Sequence, residues 1–566
     1  MPADRIAALL LMCLILCLGC ERPQRPVNFE PNLVHATKFQ IRDDLPVDQL
    51  ISDTTWLVDN LFGTPDAPKI PSVITDNPDL ADVLSLDRLT VASGPIVSGR
   101  GLYRKHCANC HGVTGNGRGP QGAILNPYPR DYRMGIFKFK STSRGSKPTR
   151  DDLAKLISGG ITGTAMVKIP GLSDEDVQAL VDYVIYLSIR GEFERAMISG
   201  AVNDLDLESG DRVIDVEFAK LAQAKPDMLA ELKTINDDTD ADELTDYENF
   251  LAFGEQLANN PELANVFEAD DDDQITASAI AFVTDSFAGR HALEHEILRI
   301  DPIDGQETID DLVADTEDED SLVTALQESA AELIVDQYDD YKDMKEELDS
   351  DADMKSRLES VSKQTTADQL TAYELYVESY EDIALGEIES LAESWLEASE
   401  NIVEVPLPPA EIPVPNSHAE YLELTGSDKA QSLADSVKRG QELFVGKIAS
   451  CSKCHGKKGQ GDGQTNDYDD WTKDWTSRVG LKPENREALV PLLARGALPP
   501  KNAKPRNFEA GLFHGGDASA DLYRRIMTGI EGSPMPAATF VEGQFEQNDV
   551  WHIINFIRSL QKSKNL

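Results

Sequence analysis

Two five-residue segments, Cys107-Ala-Asn-Cys110-His111 and Cys451-Ser-Lys-Cys454-His455, constrain this chain more than any other feature. Two thiols three residues apart on one helical turn reach the two vinyl groups of a single porphyrin, and the adjacent histidine then turns its imidazole toward the iron. A Cys-x-x-Cys-His run therefore reads as a site of covalent c-type haem attachment. A structural zinc site would need a second pair of ligands close by, and neither segment has another Cys pair near it. A thioredoxin-like dithiol would need a βαβ setting, and none is visible. The sequence predicts two haem c groups, attached through Cys107, Cys110, Cys451 and Cys454, with His111 and His455 as iron ligands. The remaining cysteines, Cys13, Cys17 and Cys20, lie in the first twenty residues, so none is left for a disulfide between domains.

The stretches around the two motifs read as one domain used twice. Each opens with Gly-x-x-Leu-aromatic, at Gly99, Leu102 and Tyr103 and at Gly440, Leu443 and Phe444. After the Cys-x-x-Cys-His-Gly run, each has Pro-Arg-[Asp/Asn]-aromatic-x-x-Gly-x-Phe, from Pro129 to Phe137 and from Pro505 to Phe513. Each then shows Asp-Leu, a short helix, and Gly-Ile-x-Gly-x-x-Met, ending at Met166 and Met535. Each closes with an amphipathic helix bearing an aromatic, Tyr183 or Phe556. The second copy has about thirty extra residues before its Pro-Arg motif, including Trp471 and Trp475.

Met166 and Met535 are the candidates for the sixth iron ligand, because a glycine-bounded loop can aim a thioether at the face opposite the histidine. Met134 and Met527 compete with them. Met134 sits in the Pro-Arg loop, and Met527 falls on an amphipathic helix where a core role is natural. With both axial positions filled by His and Met, no open site remains for oxygen or peroxide, and methionine raises the reduction potential. Arg130 and Arg506 recur in both copies; they either hydrogen-bond haem propionates, a pairing that suits arginine, or brace their loops.

Each repeated stretch resembles a class I cytochrome c domain, over roughly residues 95–195 and 435–562. The resemblance implies an all-α fold in which the first and last helices cross, with Gly99, Tyr103 and Tyr183 at one crossing and Gly440, Phe444 and Phe556 at the other. It also implies a proline bracing the haem histidine, with Pro120 as the candidate in the first domain and no clear equivalent in the second.

Charge divides the rest of the chain. Residues 201–400 hold 57 acidic and 11 basic residues, while the whole chain has 100 and 53. Nearly all of the net charge of −47 thus belongs to one segment, which excludes nucleic acid as its partner because phosphates would be repelled. Leu221, Met228, Leu232 and Ile235 recur in it at helical spacing. Thr239-Asp-Ala-Asp-Glu-Leu-Thr-Asp-Tyr-Glu248 returns, 126 residues later, as Thr365-Thr-Ala-Asp-Gln-Leu-Thr-Ala-Tyr-Glu374, which suggests a duplicated helical module. His291 and His295, one turn apart, read as surface histidines on an acidic helix, and Asp270 to Asp273 as a solvated turn.

The expected organisation is a leader at 1–20, a tether and extension at 21–90, a haem domain at 91–197, an acidic helical insert at 198–400, a proline-rich linker at 401–430 (Pro406, Pro408, Pro409, Pro413 and Pro415) and a second haem domain at 431–566. The leader has Arg5 before an apolar run from Ile6 to Leu18, too short for the ~20 residues of a membrane span. Its close, Leu18-Gly19-Cys20, resembles the lipobox of bacterial lipoproteins, in which the cysteine is acylated. Cys17 stands where that pattern prefers leucine, and a simple cleaved signal or a retained anchor are the alternatives.

These readings point to an exported, lipid-anchored dihaem electron carrier on the periplasmic side of a bacterial membrane, passing single electrons between redox proteins. The insert reads either as a soluble spacer or as a docking surface for a basic partner. The alternatives to a carrier are a peroxidase-like dihaem enzyme, which would need one iron with a replaceable ligand, and a cytochrome subunit of a larger dehydrogenase or oxidase complex.

Overall fold

Side-chain caps fix where two of the helices of the first haem domain begin. Thr149 and Ser173 each accept a hydrogen bond from the amide three residues on, and Asp152 and Asp176 reach back to the cap amide, completing capping boxes at the helices Arg150–Gly159 and Asp174–Asp204. The computed structural model describes residues 27–562, apart from Asp270 and Thr465. The leader and Cys20, and Asp270 of the acidic run, lie outside the described residues. The fold is all-α, as the sequence predicts; the strands among the described residues form one small hairpin, Gly63–Thr64 against Ala67–Pro68. No described helix is long and apolar enough to cross a membrane. The chain divides into two units, Met1–Val213 with Tyr380–Leu566, and Ile214–Ser379.

The first unit contains both haem-motif domains. Its spine is the 31-residue helix Asp174–Asp204, about 46 Å long at 1.5 Å per residue. Leu180, Ile185, Leu187, Ile189 and Phe193 are all buried, so the helix is enclosed on more than one face. The helices Asp48–Phe62, Leu86–Ala92 and Arg150–Gly159 pack along it. Within this spine Arg190 and Glu194 form a buried ion pair at 3.2 Å, and the guanidinium also sits over the Phe29 ring at 4.5 Å. Asn32 N donates to the same glutamate at 2.5 Å, so the N-terminal extension is fastened to the spine.

In the second haem domain the helix Ala430–Val445 crosses the helix Asp549–Leu560. A Cβ at Gly440 would come within 1.9 Å of the His552 carbonyl oxygen, so only glycine permits this approach. Phe444 and Phe556 meet beside it with ring centroids 5.2 Å apart. Gly440→Ala is expected to lower stability by about 1–3 kcal/mol through overpacking, measured as a reduced midpoint in urea unfolding.

The first domain departs from this pattern. Its equivalent helix is only Leu102–His106, because Gly99 and Gly101 take positive φ just before it. Gly99 has nothing within 4 Å of its Cβ position and takes no part in a helix crossing, contrary to the expectation. The Tyr103–Tyr183 contact does form, at 4.9 Å.

The proline-rich stretch lies against both haem domains. Val403 N donates to Ser141 O at 2.9 Å, and Ser143 N to Asn401 O at 2.9 Å. Further along, Ile412 joins the core of the second domain, and Asn555 Nδ2 donates to Pro413 O at 2.8 Å.

A buried charge cluster ties three separate segments together. Asp474, from the extra stretch of the second domain, receives Arg195 Nη1 and Nη2 at 3.2 and 3.0 Å and Lys38 Nζ at 3.2 Å. Burial alone would raise the Asp474 carboxyl, but Arg195 and Lys38 outweigh it and hold the group well below the usual carboxylate range. Its stabilisation is therefore full above an unfolded value near ~4 and is lost as pH falls toward the lower folded value. Asp474→Asn is expected to cost about 3–5 kcal/mol at pH 7 by stranding the buried Lys38 and the half-buried Arg195. Urea unfolding of both proteins should show that deficit narrowing below about pH 4. A deficit independent of pH would contradict the assignment.

The second unit carries the sequence repeat into its geometry. Asp240 and Thr366 cap the helices Ala241–Asn259 and Ala367–Tyr376. Leu244 and Leu370 are fully buried, and Tyr247 and Tyr373 lie beside them in the interior. Ala241 N donates to Glu374 Oε1 at 3.0 Å, and Ala367 N donates to Glu248 Oε1 at 3.1 Å. The bonds are reciprocal at the 126-residue offset, so the two copies pair about a local pseudo-two-fold axis. Part of the acidity serves as helix caps, at Asp215, Asp240, Asp318 and Asp351. The His291 side chain is 99% exposed.

Candidate functional site

The two haem motifs fold alike, residue by residue. Cys107 and Cys451 immediately precede the one-turn helices Ala108–His111 and Ser452–His455. Gly112 and Gly456 end these turns with the same positive φ, +76°. The Gly117 amide then donates back to His111 O at 2.8 Å, and the Gly461 amide to His455 O at 2.9 Å. These loops present each histidine to the interior.

The imidazoles are oriented by the Pro-Arg motifs. His111 Nδ1 lies 3.1 Å from Arg130 O, and His455 Nδ1 lies 3.1 Å from Arg506 O. A carbonyl only accepts, so Nδ1 carries the proton and Nε2 keeps its lone pair for a metal. The rings are also stacked, His111 on Tyr132 at 5.0 Å and His455 on Phe508 at 4.5 Å. Burial pushes His111 down to about 4 and lowers His455, which keeps both imidazoles neutral at neutral pH. The bracing groups are thus backbone carbonyls of Arg130 and Arg506; Pro120 is exposed and does not brace His111, which corrects the sequence expectation. The signal was present in the repeated Pro-Arg motif, but a backbone carbonyl leaves no mark in a sequence.

The methionine loops match at an offset of 369 residues. Ile161 N donates to Met166 O at 2.7 Å and Ile530 N to Met535 O at 3.1 Å; Thr164 N and Ser533 N each donate to the isoleucine carbonyl at 3.1 Å. Gly163 and Gly532 turn at φ +78° and +68°. The absence of a Cβ at Gly191 lets the Pro-Arg loop of the first domain approach the long helix, since one would lie 2.4 Å from Arg133 Cα.

All eight of these side chains, Cys107, Cys110, His111, Met166, Cys451, Cys454, His455 and Met535, line one cavity of about 1310 Å³. That volume exceeds the ~300–1,000 Å³ of an ordinary ligand site. Its walls include Ile157, Leu180 and Val184 on one side and Leu522, Ile553 and Ile557 on the other. Met134 and Met527 do not line it; Met527 packs at the margin of the second domain's core. Burial raises the Cys107 and Cys451 thiols to about 12 and about 11. Among the described residues no cluster of three or more His, Cys, Asp or Glu side chains is placed to hold a metal ion.

The two arginines diverge. The Arg130 guanidinium lies 3.7 Å over the Trp471 ring, faces the cavity, and is lowered to about 10 by burial. Arg506 donates through Nη2 to His514 Nδ1 at 2.8 Å. Trp471 and His514 line or border the site without having been marked by the sequence. A largely apolar cavity lined by paired thiols, neutral imidazoles, two thioethers and the half-buried Arg130 cation fits haem with its anionic propionates.

Residues 96–188 and 437–561 match the family model for Cytochrome c. The chain therefore carries two cytochrome c domains, whose family binds c-type haem covalently and uses it for electron transfer. Proteins of the family work with redox partners and are typically exported. No curated protein matches the chain. Among solved structures, a chain of the reducing HAO-like protein complex of Kuenenia stuttgartiensis is similar at 14% identity, over 85% of this chain and 97% of that one, with a TM-score of 0.34. That likeness is too slight to bear on fold or function.

Proposed function

We propose that the chain is a dihaem c-type cytochrome that accepts and passes on single electrons, with one haem at Cys107, Cys110, His111 and Met166 and the other at Cys451, Cys454, His455 and Met535. The observation that carries this reading is the pair of matched Cys-Cys-His-Met sets lining one cavity. When bound, the haem supplies reversible one-electron chemistry at its iron. The protein holds each imidazole neutral and oriented through the Arg130 and Arg506 carbonyls, fixes each thioether by a glycine-turned loop, and keeps water from the apolar walls. Arg130, half-buried and lining the cavity, suits a propionate; Arg506, engaged with His514, braces its loop.

With His111 and Met166 holding one haem and His455 and Met535 the other, neither iron would keep an open position, and the chain would act as a carrier. Adding carbon monoxide to the reduced protein should leave its visible spectrum unchanged. A carbon monoxide adduct at either iron would instead support a peroxidase-like dihaem enzyme.

The acidic second unit would steer a basic redox partner. Electron transfer from such a partner is then expected to slow steeply as ionic strength rises, in stopped-flow measurements across 0.01 to 0.5 M salt, as the Debye length shrinks from ~30 Å toward a few Å. A rate indifferent to salt would leave the unit a spacer. Export and attachment to a periplasmic membrane surface through Cys20 complete the proposal; Cys20→Ala should release the protein from the membrane fraction.

A further inference from the structure

Among the contacts between the two haem-motif domains, two are related by pseudo-two-fold symmetry. On one side, Trp471 Nε1 donates to Asp131 O at 3.2 Å, while its ring stacks on the Arg130 guanidinium at 3.7 Å. Arg130 is the residue whose carbonyl holds His111. The far edge of the same indole lies against Gly532, where a Cβ would come within 2.3 Å of Trp471 Cζ3, and Asp470 N donates to Gly532 O at 3.3 Å. Gly532 turns the loop that carries Met535. Trp471 thus spans from the histidine side of the first site to the methionine side of the second.

The other side repeats the arrangement with different residues. His455 is held by Arg506 O, and Arg506 Nη2 donates to His514 Nδ1 at 2.8 Å. His514 Nδ1 is then the acceptor, so Nε2 carries the proton and donates to Gly163 O at 3.3 Å. Gly163 turns the loop that carries Met166. Each histidine loop is therefore joined to the other domain's methionine loop, once through an indole and once through an imidazole. Gly532 also lies within reach of Ile136, and Gly163 of Leu512, which are equivalent positions in the two copies.

Resting on the reading that both sites hold haem, we propose that these crossed contacts form the route of electron exchange between the two irons, with Trp471 as its principal bridge. In each exchange one electron leaves a ferrous iron, which becomes ferric, and reduces the other iron from ferric to ferrous. No bond or proton moves, and both rings remain closed-shell. Continuous hydrogen-bonded and van der Waals contact replaces a gap. The about thirty-residue stretch that only the second copy has is then explained: it delivers Trp471 to the junction and, through Asp474, anchors it to Arg195 and Lys38.

The test is flash photoreduction of the half-reduced native protein, reading the redistribution phase between the two haems by visible absorption, in parallel with haem count and thermal unfolding. Trp471→Phe keeps an aromatic against Gly532 but loses the bond to Asp131 O; His514→Ala cuts the second contact. The expected result is two haems per chain in both variants, with redistribution slowed by about tenfold or more in Trp471→Phe and less in His514→Ala. Two haems with unchanged redistribution in both variants would overturn the proposal. A native protein with fewer than two haems would overturn the underlying reading instead.

Discussion

Replacing Cys107 and Cys110 together with serine is expected to halve the haem content, from two per chain to one. A serine hydroxyl adds to no vinyl group under the conditions that form thioethers, so His111 and Met166 would be left to hold a porphyrin with no covalent bond to the chain. The second set has its own thiols, its own imidazole brace at Arg506 O and its own aromatic stack on Phe508, and should load normally. The Cys451→Ser, Cys454→Ser pair should give the converse. Haem assayed as its pyridine complex against protein mass reads the result. Both variants should also unfold earlier than the native chain, because a large apolar cavity loses the group that fills it and ligand binding is linked to folding. Loss of all haem from either double variant would mean that the domains load as one.

The second large effect is on potential and ligand access. Met535→Ala should lower the midpoint of one haem by on the order of 100 mV or more, a fraction of the ~0.8 V over which axial ligation acts. It should also open that iron to carbon monoxide. Met166→Ala should do the same at the other haem. Met527→Ala is the control: that side chain packs beside the second core and does not line the cavity. It should reduce stability, by up to about 2–5 kcal/mol, and move neither potential. Equal potential shifts in Met527→Ala and Met535→Ala would place the ligand elsewhere.

Much of the candidate site was legible because its proposed chemistry resides in side chains at fixed spacing. The thiols, histidines and methionine loops recur in order, and the loops proved alike down to individual amide bonds. What stayed hidden had three physical causes. The imidazole braces are backbone carbonyls, which have no residue signature, so Pro120 was chosen where Arg130 O does the holding. Gly99 shares a motif with Gly440, but positive φ at Gly99 and Gly101 lets the helix begin only at Leu102, so Gly99 lies outside the contact that Tyr103 makes with Tyr183. Trp471 and Arg130 are more than three hundred residues apart in sequence, and their stacking exists only after both domains have folded together.

The acidic stretch teaches a related lesson. Its charge marks it off from the haem domains, and its 126-residue repeat was readable from Thr239 to Glu248. That Glu248 and Glu374 would each reach the other copy's helix amide was not, because the bond depends on how the copies pair. Likewise, the distance between the two sites could not be read from the roughly 240 residues between the haem domains. Yet the chain returns at Tyr380 to the unit it left at Val213, and both motifs line one cavity.

The measurement that bears most directly on the central claim is a potentiometric titration of the purified native chain, followed by visible spectra and normalised to protein mass. Two one-electron steps that together account for two low-spin haems per chain are predicted. A single step accounting for one haem, or a reduced spectrum in which either iron is five-coordinate, would contradict the account.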